Sequence, residues 1–167
     1  MANRAHPRRV MREDSGESLV EFAIAGMLFL TGLFGIIDCA RAMYTYHFVA
    51  YAAQEGTRYA MVRGNDWSGA CASANSTACA ATSAQVTAFV QGLATPGISG
   101  TSIVATPSWP QLNVDGSATG CSTSATQNSK GCLVKVQVSY PFHFLLLPFL
   151  HLNTLTMTAT SEQVISY

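Results

Sequence analysis

The chain has 167 residues, room for one modest domain and an appended element. Apolar residues make up 49% and charged residues only 11%, whereas a typical soluble domain carries about 25% charged residues. Nine Lys and Arg balance nine Asp and Glu, which excludes an acidic solvating chain and a basic nucleic-acid binder. Thirteen of these eighteen charges fall in residues 1–63, so the first third and the remainder meet different surroundings.

Residues 1–17 are polar, with Arg4, Arg8, Arg9 and Arg12 ahead of Glu13, Asp14 and Glu17, and Pro7 discourages an early helix. Residues 19–37 then run apolar with one ionisable group, Glu21. A helix of that length spans about 28 Å, close to the hydrocarbon core of a bilayer, and reads as a transmembrane helix. The arginines on its N-terminal side put that end in the cytoplasm and the rest of the chain outside. Asp38 and Arg41 mark the interface, and Tyr44 and Tyr46 suit its aromatic belt. Beyond them Val49, Ala52, Ala53, Gly56, Tyr59, Ala60 and Arg63 keep helical spacing without proline, and Gly64 is a suitable stop. The spacing predicts one helix over about 18–63.

The next stretch, residues 69–84, is small and polar and reads as a loop. Val86, Phe89, Val90 and Leu93 predict a second helix, ended by Pro96 and Gly97. Residues 103–105 form a candidate short strand, and 115–131 a further Gly/Ser/Thr loop. Two alternating segments close the chain. Val134, Val136, Val138 and Tyr140 face one side of the first; Leu155, Met157 and Ala159 face one side of the second. Between them, residues 142–152 are mostly apolar and too short to span a membrane. They read as a buried corner, with a membrane or partner contact as the alternative. The fold class is α+β: a long N-terminal transmembrane helix continuing into a small exported domain with an antiparallel sheet and a second helix. The divisions are 1–16, a cytoplasmic leader; 17–64, the transmembrane and stalk helix; 65–131, variable exported loops with one helix and a short strand; and 132–167, the C-terminal strands.

Of five cysteines, Cys39 lies in the long helix, while Cys71, Cys79, Cys121 and Cys132 lie in or beside the two loops and are disulfide candidates. Four cysteines allow three pairings, and the local one, 71 with 79 and 121 with 132, would pin each loop at its base. Pairing implies an oxidising, exported compartment. No spacing here matches a zinc motif and no histidine is near, so no metal site or cofactor is expected. Nucleotide-binding, metalloprotease and serine-hydrolase signatures are also missing, and His6, His47, His143 and His151 are scattered. No catalytic residues are assigned, and the chain reads as a non-enzyme.

The informative cluster opens the apolar run: Gly16, Glu17, Ser18, Leu19, Val20, Glu21, Phe22. A carboxylate at the head of a membrane helix is retained only if something compensates. One reading is a capping box, with Ser18 as N-cap and Glu21 three residues later. The other is a pairing site: a cut after Gly16 leaves an amine at Glu17, which Glu21 of a neighbouring subunit can meet. Further along the apolar run, Thr31, Gly35 and Cys39 form a column of small residues that lets helices approach closely. Two rival readings of the N-terminus are a signal peptide cut at Ala40-Arg41-Ala42 and a lipoprotein signal at Cys39. The seventeen polar residues and Glu21 oppose the first; Asp38 before the cysteine opposes the second.

The G-x-x-x-x-E-F pattern before an apolar helix resembles a type IV prepilin cleavage site. Residues 17–64, followed by VKVQVSYPFHFLLLPFL and LTMTATSEQVISY, resemble the TadE-like family, pseudopilins of the tight-adherence (Flp) pilus system. The middle, 65–131, does not match. The resemblance implies a pilin-like layout and cleavage by prepilin peptidase, with Gly16 the last leader residue, Glu17 the first mature one, and Glu21 and Phe22 completing the signature. It also implies a single-pass protein of the cytoplasmic (inner) membrane whose C-terminal domain lies in the periplasm or cell exterior. Its partners would be the membrane, prepilin peptidase and other pseudopilins or pilus-assembly components, in a homo- or hetero-oligomer, without nucleic acid. The expected role is a minor pseudopilin or assembly factor. A membrane-anchored exported binding module for surface attachment, with loops 65–131 making the contact, is the alternative.

Overall fold

The computed structural model describes residues 14–67, 80–145 and 154–166. Helix α1 runs unbroken over Asp14–Val62, 49 residues or about 73 Å. Helix α2 covers Ser83–Gly92, and a 3-10 turn covers Gly100–Ser102. Strands β1 (Val104–Ser108), β2 (Leu133–Phe142) and β3 (Leu155–Val164) form one antiparallel sheet in the order β1-β2-β3. The expected α+β layout is present: a long apolar helix, then a small domain with a three-stranded antiparallel sheet and a second helix.

Strand alternation sets which sheet face is covered. Val134, Val136 and Val138 of β2 are fully buried, and they pair across to Gln163, Ser161 and Ala159 of β3. The opposite face carries Lys135 beside Glu162 and a row of threonines. Small side chains on the inner face of β3 leave room for α1 to lie close, and the helix answers with small residues of its own. Phe48, Val49, Ala52, Ala53, Gly56, Thr57 and Ala60 form its buried stripe. The Thr57 hydroxyl is buried and finds the Ala53 carbonyl at 2.7 Å. Helix α2 closes the core with Val86 and Val90. Its start is secured by a capping box, in which the Thr82 hydroxyl accepts from the Gln85 N–H and the Gln85 side chain accepts from the Thr82 N–H.

Gly56 sits where the three layers meet. A Cβ there would lie 2.7 Å from Val90 Cγ2 and 3.2 Å from Val136 Cγ1. The glycine is therefore a close-approach position for the seam between α1, α2 and β2.

Both ends of α1 differ from expectation. The helix begins at Asp14, so Ser18 stands inside it and is not its N-cap. It stops at Val62, two residues before Gly64, which is absent from the residues with positive φ. The stop is instead tertiary: the Arg63 carbonyl accepts from Ala81 N–H, and Asn65 N–H donates to Asn128.

The head has two distinct ends, because β2 runs back toward the start of α1. Residues 64–67, 121–132 and 165–166 gather beside the C-terminal end of the helix, where Ser166 N–H meets the Met61 carbonyl. The end of β2, the start of β3 and the turn at 95–97 lie at the other end. There the Tyr44 hydroxyl donates to Thr95 Oγ1 at 2.7 Å, so this tyrosine holds the head as well as facing solvent.

Candidate functional site

Among the described residues, nothing buries the first half of α1. Within residues 16–37 every large apolar side chain is exposed, from Leu19 and Phe22 through Phe29 to Ile37. This stretch is part of a helix, Gly16–Val62, that is long and apolar enough to cross a membrane. Exposing so much contiguous apolar surface to water is prohibitive, so this segment requires lipid or neighbouring helices around it.

At its start, Gly16, Glu17, Val20, Glu21 and Ile24 share one helix face. Glu17 and Glu21 are four residues apart, so two exposed carboxylates stand one turn from each other. Such a like-charged pair is mildly unfavourable by itself, by about 0.2–0.5 kcal/mol. The start at Asp14 removes the capping-box explanation for Glu21. Further along, the Thr31 hydroxyl is satisfied by the Met27 carbonyl at 2.8 Å. A Cβ at Gly35 would meet only open space, and Cys39 is an exposed free thiol. The small-residue column is thus open to a neighbour.

The apolar stretch ends at Asp38, and here the structure adds something that residue spacing did not suggest. Asp38 is buried, with 5% of its surface exposed. Arg41 Nη1 donates to its Oδ1 at 3.0 Å, and the backbone N–H of Leu145 reaches both carboxylate oxygens at 3.0 Å. A buried carboxylate is tolerated when it is paired and hydrogen-bonded. Expected as a residue of the membrane interface, Asp38 also clasps the far end of β2 to the helix. Arg41 lies over the Phe142 ring at 5.4 Å, and Phe142 meets Phe144 edge-on at 4.9 Å. Beside them is a cleft of about 240 Å³ lined by Arg41, Tyr44, Tyr140, Phe142 and His143. Phe142, expected in an apolar corner, is buried as the last residue of β2, while Leu145 is exposed. Residues 146–153 lie outside the described residues.

At the opposite end, Cys121 and Cys132 form a disulfide across a separation of eleven residues, with Cα atoms 5.7 Å apart. Cys71 and Cys79 lie outside the described residues. Asn65 clasps the closed loop, its side-chain N–H donating to the Ala125 carbonyl at 2.9 Å and to Ser129 Oγ at 3.2 Å. Arg63 stacks on Tyr59 at 3.6 Å, and Tyr59 stacks on Phe89. Exposed Asp115 is held below the ordinary carboxylate range, chiefly by the Ser117 backbone N–H and then by its hydroxyl. Among the described residues no group of three or more His, Cys, Asp or Glu is placed to hold a metal ion.

The TadE-like protein family model matches residues 16–58. The match begins at Gly16 and ends within the part of α1 that packs on the sheet. The TadE-like segment thus takes in the G-x-x-x-x-E-F pattern, the exposed apolar stretch and most of the part of α1 that packs on the head. It leaves out 133–167, the second stretch that resembles the family. A TadE-like helix points to a membrane-associated component with a role related to the tight-adherence pilus. No curated protein matches the chain. No solved structure matches it either.

Proposed function

We propose that this chain is a minor pseudopilin or assembly factor of a tight-adherence pilus, working by helix-to-helix association. Residues 19–37 cross the cytoplasmic membrane once, with the basic flank inside and the head in the periplasm or cell exterior. The observation that carries the reading is a TadE-like segment whose first part, residues 19–37, is a helix with its large apolar side chains exposed on every side. The disulfide fits an exported, oxidising compartment. The role is structural rather than catalytic.

In this reading prepilin peptidase cuts between Gly16 and Glu17. That bond lies in the opening turns of α1, which begins at Asp14. Glycine weakens a helix by about 1 kcal/mol relative to alanine, so Gly16 eases the local unwinding a protease requires. The cut creates an amine on Glu17. Glu21 of a neighbouring subunit then meets that amine at the membrane surface while the Thr31, Gly35 and Cys39 column packs against its helix. Other pseudopilins or assembly components, in a homo- or hetero-oligomer, are the partners.

Two outcomes test this. Mass analysis of the mature N-terminus finds Glu17; a terminus at Met43, or an intact leader, rejects the processing. Glu21→Ala leaves membrane insertion intact but removes the ion pair between subunits, so pilus assembly falls. Normal piliation in that variant rejects the pairing.

A further inference from the structure

The clasp between Asp38 and Leu145 places the base of the head at the level where the apolar stretch of α1 ends. Residues 19–37 contain nineteen positions and only one ionisable side chain, and Asp38 follows them directly. The Leu145 N–H is 3.0 Å from both oxygens of that carboxylate, so the end of β2 cannot stand away from the bilayer surface when the helix spans it. What the head offers there is apolar. Leu145 is 54% exposed and Leu155, opening β3, is 47% exposed. Phe142 and Leu155 are direct cross-strand partners, so β3 opens at the end of the sheet where β2 finishes, three residues before Leu145. Tyr44, Tyr46 and Arg41 surround the same level on the helix, the residue types that favour a headgroup region.

From this we infer that the β2–β3 end of the head is a second membrane contact, with Leu145 and Leu155 seated in the outer leaflet of the bilayer that α1 crosses. The inference rests on the single-pass reading above. Two attachment points, one spanning and one interfacial, fix the rotation of the head about the helix axis and the tilt of the helix, which an unbranched single span leaves free. The occupant is lipid rather than a second protein because this end of the head is held by the buried Asp38 carboxylate at the level where the bilayer-crossing stretch of α1 ends.

The native tryptophans provide a built-in reference. Trp67 follows the C-terminal end of α1, and Trp109 follows Ser108, which pairs with Lys135 near the start of β2; both are at the end of the head away from Asp38. Full-length Leu145→Trp in phosphatidylcholine vesicles carrying a spin-labelled quencher near the headgroup end of the acyl chain should lose the emission that the substitution adds, while the native emission is unchanged. Val114→Trp, near the Asn113–Cys132 bridge at the far end, should lose none. Phe29→Trp, placed mid-span, should be quenched by a label near the bilayer centre. If Phe29→Trp is quenched but Leu145→Trp behaves like Val114→Trp, the second contact is overturned and the span survives. If Phe29→Trp is not quenched, the span fails and the second contact with it. Leu155→Trp repeats the measurement should Leu145→Trp lower the melting temperature of the head. Shielding of both from the lipid label also overturns the inference, and assigns this edge to a protein neighbour.

Discussion

Replacing Gly56 by valine collapses the head while leaving the membrane helix formed. The first added atom already lies 2.7 Å from Val90 Cγ2 and 3.2 Å from Val136 Cγ1, and both neighbours are fully buried β-branched side chains with little rotamer freedom. Two further methyl groups have nowhere to go. Overpacking of this kind costs about 1–3 kcal/mol for added methylenes, and the rigid three-way seam puts Gly56→Val at or above the upper end. Gly56→Ala is the informative companion. Helix propensity alone makes it stabilising by about 1 kcal/mol, but the contact at 2.7 Å opposes that gain. The packing term dominates, because Val90 and Val136 are wedged on every side, so the alanine variant is also less stable than the parent. Thermal unfolding of the full chain in detergent, followed by near-ultraviolet circular dichroism, measures both. An alanine variant more stable than the parent would show that the seam relaxes.

Removing the disulfide with Cys121→Ser and Cys132→Ser together has an effect of similar size at the other end of the head. Closing a loop of this length removes denatured-state entropy equivalent to about 3 kcal/mol. For a domain of this size that lowers the melting temperature by roughly 15 °C. The loss spreads beyond the loop, since Asn65 binds Ala125, Asn128 and Ser129, and Gly131 and Cys132 exchange backbone hydrogen bonds with Ile165. The terminus of α1 and the last residues of β3 therefore loosen together. Reductant applied to the parent protein should reproduce the shift and should not move the double-serine variant. A double-serine variant with the parent's melting temperature would mean that the polar contacts hold the loop unaided.

Periodicity in the sequence carries the elements well. The stripe Val49, Ala52, Ala53, Gly56 and Ala60 is the buried face of α1, and the alternation Val134, Val136, Val138 is the buried face of β2. Both follow from local geometry, one repeat of 3.6 residues and one of two. The TadE-like helix was legible for the same reason, because an apolar run headed by a carboxylate is a local pattern. What was not legible depends on contacts across long separations. Ser18 and Glu21 match a capping box in isolation, yet α1 starts four residues earlier. Gly64 looked like the helix stop, but hydrogen bonds from residues 81 and 128 hold that end. Asp38 read as a surface marker because its partner Leu145 is 107 positions away and contributes a backbone N–H, which no side-chain pattern announces. The pairing of Cys121 with Cys132 was one of several arithmetic possibilities until the fold brought them together.

The way α1 lies along the sheet has a mechanical meaning. From Asp38 to Val62 the helix runs about 36 Å, and its buried stripe lies against β2, β3 and α2 over most of that length. There is no proline within this run and no break in its hydrogen-bond ladder. A pull along the helix axis therefore loads the whole seam in shear, with Val49, Ala53, Gly56 and Ala60 resisting together, and the Asp38 clasp sits first in line. A sideways pull on the head would instead open the seam from one end, contact by contact. A protein built this way is strong along the axis of α1 and weak across it.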